Sequence, residues 1–161
     1  MAEATMQSSM VGELEVDVEI KAPAQKYYHM LTGRPQDLSK ATPDNVKSCD
    51  LLEGEFGKVG SILFWNYVID GQLKVVKERI EALEPEKNLM VVKILEGDLM
   101  KEFKSFLMTI QATPKQRGPG SVVKCHTKYE KIDEKVPDPE SLLAAFVKAS
   151  KDMDEMLSSQ V

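Results

Sequence analysis

Few side chains in this chain of 161 residues are of a kind that performs chemistry. Its two histidines, His29 and His126, lie in a short helical stretch and on the outer alternation of a strand. Neither has a serine, cysteine or acidic neighbour at a recognisable catalytic spacing, so both read as solvent-facing. Cys49 and Cys125 are far apart and form no Cys-x-x-Cys pair for zinc or disulfide exchange. Nothing near Cys125 lowers a thiol pKa, so it reads as a small wall or core residue rather than a nucleophile. No cluster of metal-ligating types occurs. The chemistry to be expected is therefore recognition without catalysis, metal or cofactor.

A second feature is the run Gly54-Glu55-Phe56-Gly57-Lys58-Val59-Gly60. Gly54, Gly57 and Gly60 with Lys58 between them raise the possibility of a phosphate cradle. The spacing is not that of a nucleotide loop, and a strand rather than a helix follows, which removes the helix dipole such loops rely on. A tight turn that needs residues tolerant of positive φ is the better account.

These residues hang on a simple sequence of elements. Val11 to Lys21 alternates, with Leu14, Val16, Val18 and Ile20 on one side and Glu13, Glu15, Asp17 and Glu19 on the other. Pro23 opens a short helix carrying Tyr27, Met30 and Leu31 at helical spacing, and a second runs from about Gln36 to Ala41. Strands follow at Val46–Glu53, Ser61–Ile69, Leu73–Leu83, Asn88–Glu96, Met100–Thr113 and Ser121–Ile132, joined by turns rich in Gly, Pro, Asp and Asn. After Pro137 the period changes. Asp138 is placed to cap a helix, Pro139 to begin it, and Leu142, Phe146, Ala149, Met153 and Met156 recur at three- and four-residue steps. The expected fold is α+β: a seven-stranded curved antiparallel sheet, two short helices after the first strand, and one long helix last. One domain spans residues 1–161, with an ordered core from about 11 to 157.

Composition bounds the partners. A formal charge of −5, with acids and bases interleaved, gives no broad attraction for phosphate backbones or anionic lipid. Nucleic acid is not expected as a partner, and no apolar run is long enough for membrane insertion. The N-terminus lacks a secretory signal pattern, and two lone cysteines suit a reducing, cytoplasmic setting.

Several word-like stretches carry a family likeness: Val11-Gly12-Glu13-Leu14-Glu15, Gly60-Ser61-Ile62-Leu63-Phe64-Trp65-Asn66-Tyr67, Lys77-Glu78-Arg79-Ile80-Glu81, Leu95-Glu96-Gly97-Asp98-Leu99-Met100-Lys101 and Tyr129-Glu130-Lys131. From Val11 to Leu157 the chain resembles the plant major latex protein-like family, within the birch pollen allergen and pathogenesis-related superfamily. The resemblance implies a sheet gripping the long helix around a ligand cavity, on the order of 300–1,000 Å³ if it suits a drug-sized ligand. It turns one side of each strand inward: Leu63, Trp65, Tyr67 and Ile69; Met90 and Val92; Phe106, Met108 and Ile110; Val123, Cys125, Thr127 and Tyr129. Tyr27, Met30 and Leu31 of the first helix and Leu143, Phe146, Val147, Ser150, Met153 and Leu157 of the last complete the expected wall. Without the resemblance these stripes would read as solid core. Tyr67, Tyr129, Thr127 and Ser150 are the groups that could orient a polar end of a ligand.

The implied function is non-catalytic binding and sequestration or transport of apolar or amphipathic molecules (sterol-, flavonoid-, hormone- or lipid-like), linked to plant defence or stress. The resemblance also implies an alternative, a cavity enzyme for a cyclisation or isomerisation, since some relatives in the superfamily are catalysts. A monomer or weak dimer is expected, with Ile62 and Phe64 on the outer side of their strand as a small contact patch. Thiol titration of the unfolded, unreduced protein is expected to find both Cys49 and Cys125 reactive; finding neither would place the chain in an oxidising compartment.

Overall fold

The computed structural model describes residues 10–159. Seven strands form one sheet: β1 (Val11–Ile20), β2 (Val46–Glu53), β3 (Ile62–Ile69), β4 (Gln72–Glu84), β5 (Leu89–Gly97), β6 (Phe103–Pro114) and β7 (Ser121–Lys131). Their order is β1-β7-β6-β5-β4-β3-β2, and every pair is antiparallel. From β2 to β7 each strand pairs with the one that follows it, as short hairpin turns dictate; only β1 crosses to the far end. Helices α1 (Ala24–Gly33) and α2 (Leu38–Ala41) fill the crossover, and α3 (Glu140–Ser159) ends the chain.

The alternation of β1 is realised along its length. Its carboxylates face outward, where Glu13 meets His126 at 2.9 Å and Glu15 meets Lys124 at 3.5 Å across the β7 ladder. Val18 and Ile20 are buried on the opposite face. The strand expected from Met100 begins at Phe103, because Asp98–Lys101 forms a short 3-10 turn first. A bulge between Phe103 and Ser105 then brings both Phe103 and Phe106 to the inner face.

Two buried clusters divide the interior. The larger joins the inner faces of β1, β7 and the middle of the sheet to α1 and α3, with Tyr27, Met30, Val123, Cys125, Leu143 and Leu157 among its members. The smaller stacks Phe103, Phe106 and Tyr129 with Val76 and Ile94. Its three rings lie 5.1–5.8 Å apart in edge-to-face and stacked pairs.

Polar contacts fix α3 over the sheet. Both carboxylate oxygens of buried Asp154 accept backbone N–H bonds from Lys21 and Ala22, each at 2.8 Å, just past the end of β1. One helical turn back, Ser150 Oγ and Tyr27 OH lie 2.8 Å apart, and Thr42 Oγ1 donates to Asp152 at 2.8 Å. At the other end, Asp138 does not cap the helix with its side chain. Its carboxylate instead accepts from Tyr129 OH at 2.7 Å and pairs with Lys131 at 3.1 Å, while the carbonyl of Pro139 takes the first helical bond from Leu143.

The glycine loop is a turn between β2 and β3. Gly54, Gly57 and Gly60 all have φ between +81° and +89°, and a Cβ on Gly54 would lie 2.5 Å from Ser61 Oγ, which bonds both the N–H and the carbonyl of Glu55. Glycine is required there by backbone sign and by space.

Asp154→Ala strands two backbone donors at the helix–sheet junction, and we expect a loss of about 3 kcal/mol in urea unfolding. Asp154→Asn, which keeps one acceptor, should lose less. A change under about 0.5 kcal/mol for the alanine variant would show that the junction is held by apolar packing alone.

Candidate functional site

Helix α3 presents two stripes, about 100° apart around its axis. Leu143, Val147, Ser150, Asp154 and Leu157 form one, and it is packed or bonded against β1, α1 and their neighbours. Leu142, Ala145, Phe146, Ala149 and Met153 form the other, and it faces a void above β3, β4 and β5. Two alanines at the centre of that second stripe leave room that larger side chains would occupy. The result is a cavity of about 160 Å³.

Of the expected wall residues, twelve border the cavity: Tyr27 and Leu31 from α1; Trp65, Tyr67 and Ile69 from β3; Met90 and Val92 from β5; Met108 and Ile110 from β6; Phe146, Ser150 and Met153 from α3. Ten lie elsewhere. Met30, Val123, Cys125, Leu143, Val147 and Leu157 pack into the larger cluster, where α1 and the first stripe of α3 lie directly on β1 and β7. Phe106 and Tyr129 belong to the aromatic stack. Thr127 is buried and donates to the carbonyl of Leu14 at 2.9 Å. Leu63 lines a separate small recess with Phe56, Gly57 and Ser61. The inner chamber is accordingly smaller than the size a drug-like ligand needs, because strands β1 and β7 contribute solid core instead of wall. Lys58 borders neither space.

The polar groups differ from expectation as well. Tyr129 and Thr127 spend their hydroxyls on Asp138 and Leu14, leaving Ser150, Tyr27 and Tyr67 on the cavity. Ser150 and Tyr27 share one hydrogen bond between two hydroxyls, so one proton of the pair remains free to donate. Burial raises the Tyr27 and Tyr67 pKa values, so both phenols stay neutral. Burial likewise pushes the Cys125 thiol up to about 12, which makes it inert in the folded protein.

Glu78 is the group that inspection of the sequence missed. It is 8% exposed, borders both the cavity and the small recess, and forms no ion pair among the described residues. Burial pushes its carboxyl up to about 7, with the nearby indole N–H of Trp65 acting weakly in the other direction. That N–H approaches Glu78 without reaching hydrogen-bond geometry and is buried without a partner. The signal was available: Val76, Glu78 and Ile80 share one alternation of β4, and the two apolar members show which way it faces.

Beside the chamber lies a larger cleft of about 430 Å³, lined by Asp70, Lys74, Asp98, Glu102, Asp138 and Glu140 among others. Tyr67, Ile69, Leu99 and Leu142 belong to both walls, so the cleft adjoins the cavity. Asp98 is held below the usual carboxylate range, chiefly by the Val75 N–H it accepts at 2.7 Å.

A carboxyl whose pKa is raised by folding holds its proton more tightly in the folded state, so its stabilising contribution is full below the unfolded pKa near 4.5 and is lost as pH rises through about 7. Between pH 5 and pH 8 the wild type should lose about 2 kcal/mol relative to Glu78→Gln in urea unfolding. A gap that stays constant over that range would mean Glu78 is solvated.

The sequence comparisons agree with this architecture. The family model described as the pathogenesis-related protein Bet v 1 family matches residues 9–160. MLP-like proteins 28 and 31 of Arabidopsis thaliana are each 60% identical to the chain, over 97% and 95% of its length. The chain spans 47% of the former, about half its length, and 90% of the latter. The crystal structure of major latex-like protein 151 from Panax ginseng superposes with a TM-score of 0.87 at 35% identity, covering 91% of this chain and 97% of that one. With a match over nearly its whole length and relatives this similar, the chain belongs to the pathogenesis-related protein Bet v 1 family, in its major latex protein-like branch.

Proposed function

We propose that the protein binds and sequesters or carries apolar and amphipathic small molecules in the space between β3–β5 and α3, without transforming them. The observation that supports this most is the makeup of the wall: aliphatic, thioether and aromatic side chains around one buried carboxyl, with no lysine, arginine or histidine among the described residues that line the chamber. Apolar voids of about 150 Å³ accept a benzene-sized guest. The inner chamber therefore suits one ring or a short branched chain, and the adjoining cleft suits the remainder of a larger ligand. A cytoplasmic setting and a role in plant defence or stress fit the two buried free thiols and the family.

The catalytic alternative has one observation in its favour, the raised pKa of Glu78, which suits a general base near neutral pH. A cyclisation or isomerisation also asks for an acid of matched pKa. Among the described residues, the other ionisable groups on the chamber wall are Tyr27 and Tyr67, both pushed upward. Binding is the function the wall supports.

Trp65 borders the chamber and is the sole tryptophan, so it reports occupancy. Titration with single- and fused-ring apolar compounds should shift its emission saturably, with micromolar affinity corresponding to about −8 kcal/mol. Ala149→Phe fills the space beneath α3 and should weaken binding at least about tenfold while leaving the circular dichroism spectrum unchanged. Undiminished binding by the filled variant would locate the ligand outside the chamber.

A further inference from the structure

The interior holds a buried acid with no cation beside it among the described residues. Glu78 is more than nine-tenths buried, and among the described residues its carboxyl makes no hydrogen bond of full geometry and no cation lines either space it borders. The titratable groups around those spaces are Tyr27 from α1, Tyr67 from β3 and Glu55 from the glycine loop, and Cys49 on β2 feels the charge of Glu78. None of them supplies a positive charge. A carboxyl placed this way is costly unless something pairs with it, and it lies next to the indole ring of Trp65. A carboxylate set in an apolar wall that includes aromatic side chains is an arrangement that holds an organic ammonium ion.

The adjoining cleft points the same way independently. Lys101 and Lys131 pair with Asp98 and Asp138 there, but Asp70, Glu102 and Glu140 have no ion-pair partner among the described residues, and Lys74 is the one basic residue lining the cleft. A cleft of net negative charge beside the chamber attracts cations and repels carboxylates.

We propose that the cavity selects amphipathic organic cations: the amine of a compact, ring-bearing ligand pairs with Glu78 beside Trp65, and the ring occupies the apolar chamber. This rests on the carrier reading and specifies its ligand. The pairing also satisfies the buried indole, because an ionised Glu78 can accept from Trp65 Nε1–H as well as from the ligand ammonium. Free protein near pH 6 holds Glu78 largely protonated, so binding an ammonium there releases one proton from the carboxyl to solvent; near pH 8 it releases none.

Three probes of nearly equal shape test this by NMR and calorimetric titration of the full chain: 2-phenylethylamine, 2-phenylethanol and phenylacetate. At pH 8 the amine should bind at least about tenfold more tightly than the alcohol, and phenylacetate least. Amine affinity should fall about tenfold from pH 8 to pH 6, and calorimetry at pH 6 in buffers of different ionisation enthalpy should show close to one proton released. Glu78→Gln should lose the amine preference, the pH dependence and the proton release, and keep the alcohol within about twofold. Equal binding of amine and alcohol, tight binding of phenylacetate, or an unchanged amine affinity in Glu78→Gln would overturn the inference. If the Trp65 titration with apolar rings succeeds while the amine shows no advantage, this inference alone falls. If no ligand of either set binds, the carrier reading falls with it.

Discussion

The architecture turns on the attachment of the last helix along one edge of the molecule. Asp154 accepts two backbone N–H bonds where the chain leaves β1, and Ser150 and Asp152 meet Tyr27 and Thr42 a turn away. These contacts draw one stripe of α3 down onto β1 and α1. Because a helix turns its side chains about 100° per residue, fixing that stripe fixes the neighbouring one over β3–β5. Ala145 and Ala149 in that stripe do not reach the sheet, and the space remains. Interiors ordinarily close to crystal-like density, so a void of this kind persists only where rigid elements hold its walls apart. The sheet and the pinned helix are those elements.

The polar groups of the interior follow from the same division. On the closed side every buried hydroxyl and carboxylate has a protein partner: Asp154 two amides, Thr127 a carbonyl, Ser121 the carbonyl of Ala22. On the open side, the Trp65 indole N–H is buried without one, and Glu78 has no ion-pair partner among the described residues. Unmade hydrogen bonds inside a protein cost free energy, and natural folds keep few of them.

Alternation and turn chemistry in the sequence identify nearly the whole fold. β1 shows itself through four carboxylates opposing four aliphatics, and α3 through apolar recurrence after Pro137. What alternation cannot reveal is whether an inward residue meets another side chain or a void. Val123 and Val92 have the same pattern and the same burial, yet one supports α1 and the other faces the chamber. That difference depends on where a helix distant in sequence comes to rest. Asp138 shows a related limit: its position suits a helix cap, but Tyr129 and Lys131, brought beside it by the β7 hairpin geometry, take its carboxylate first. Glu78 was obscured by its neighbours, since Lys77, Arg79 and Glu81 make the segment look like a charged surface strand.

The sheet is open, and β1 and β2 lie at its two ends. An edge strand exposes unpaired amides and carbonyls to which another copy of the same strand could add, the first step of a growing ribbon. On β1 the outward row Glu13, Glu15, Asp17 and Glu19 would then be set beside an identical row, carboxylate against carboxylate, at about 5 Å. On β2 two register irregularities, between Val46 and Ser48 and between Leu51 and Glu53, interrupt the straight ladder an incoming strand requires. The acidic face that contributes nothing to the cavity thus guards the molecule against self-assembly. A fold with an open sheet and an incompletely packed interior needs that protection.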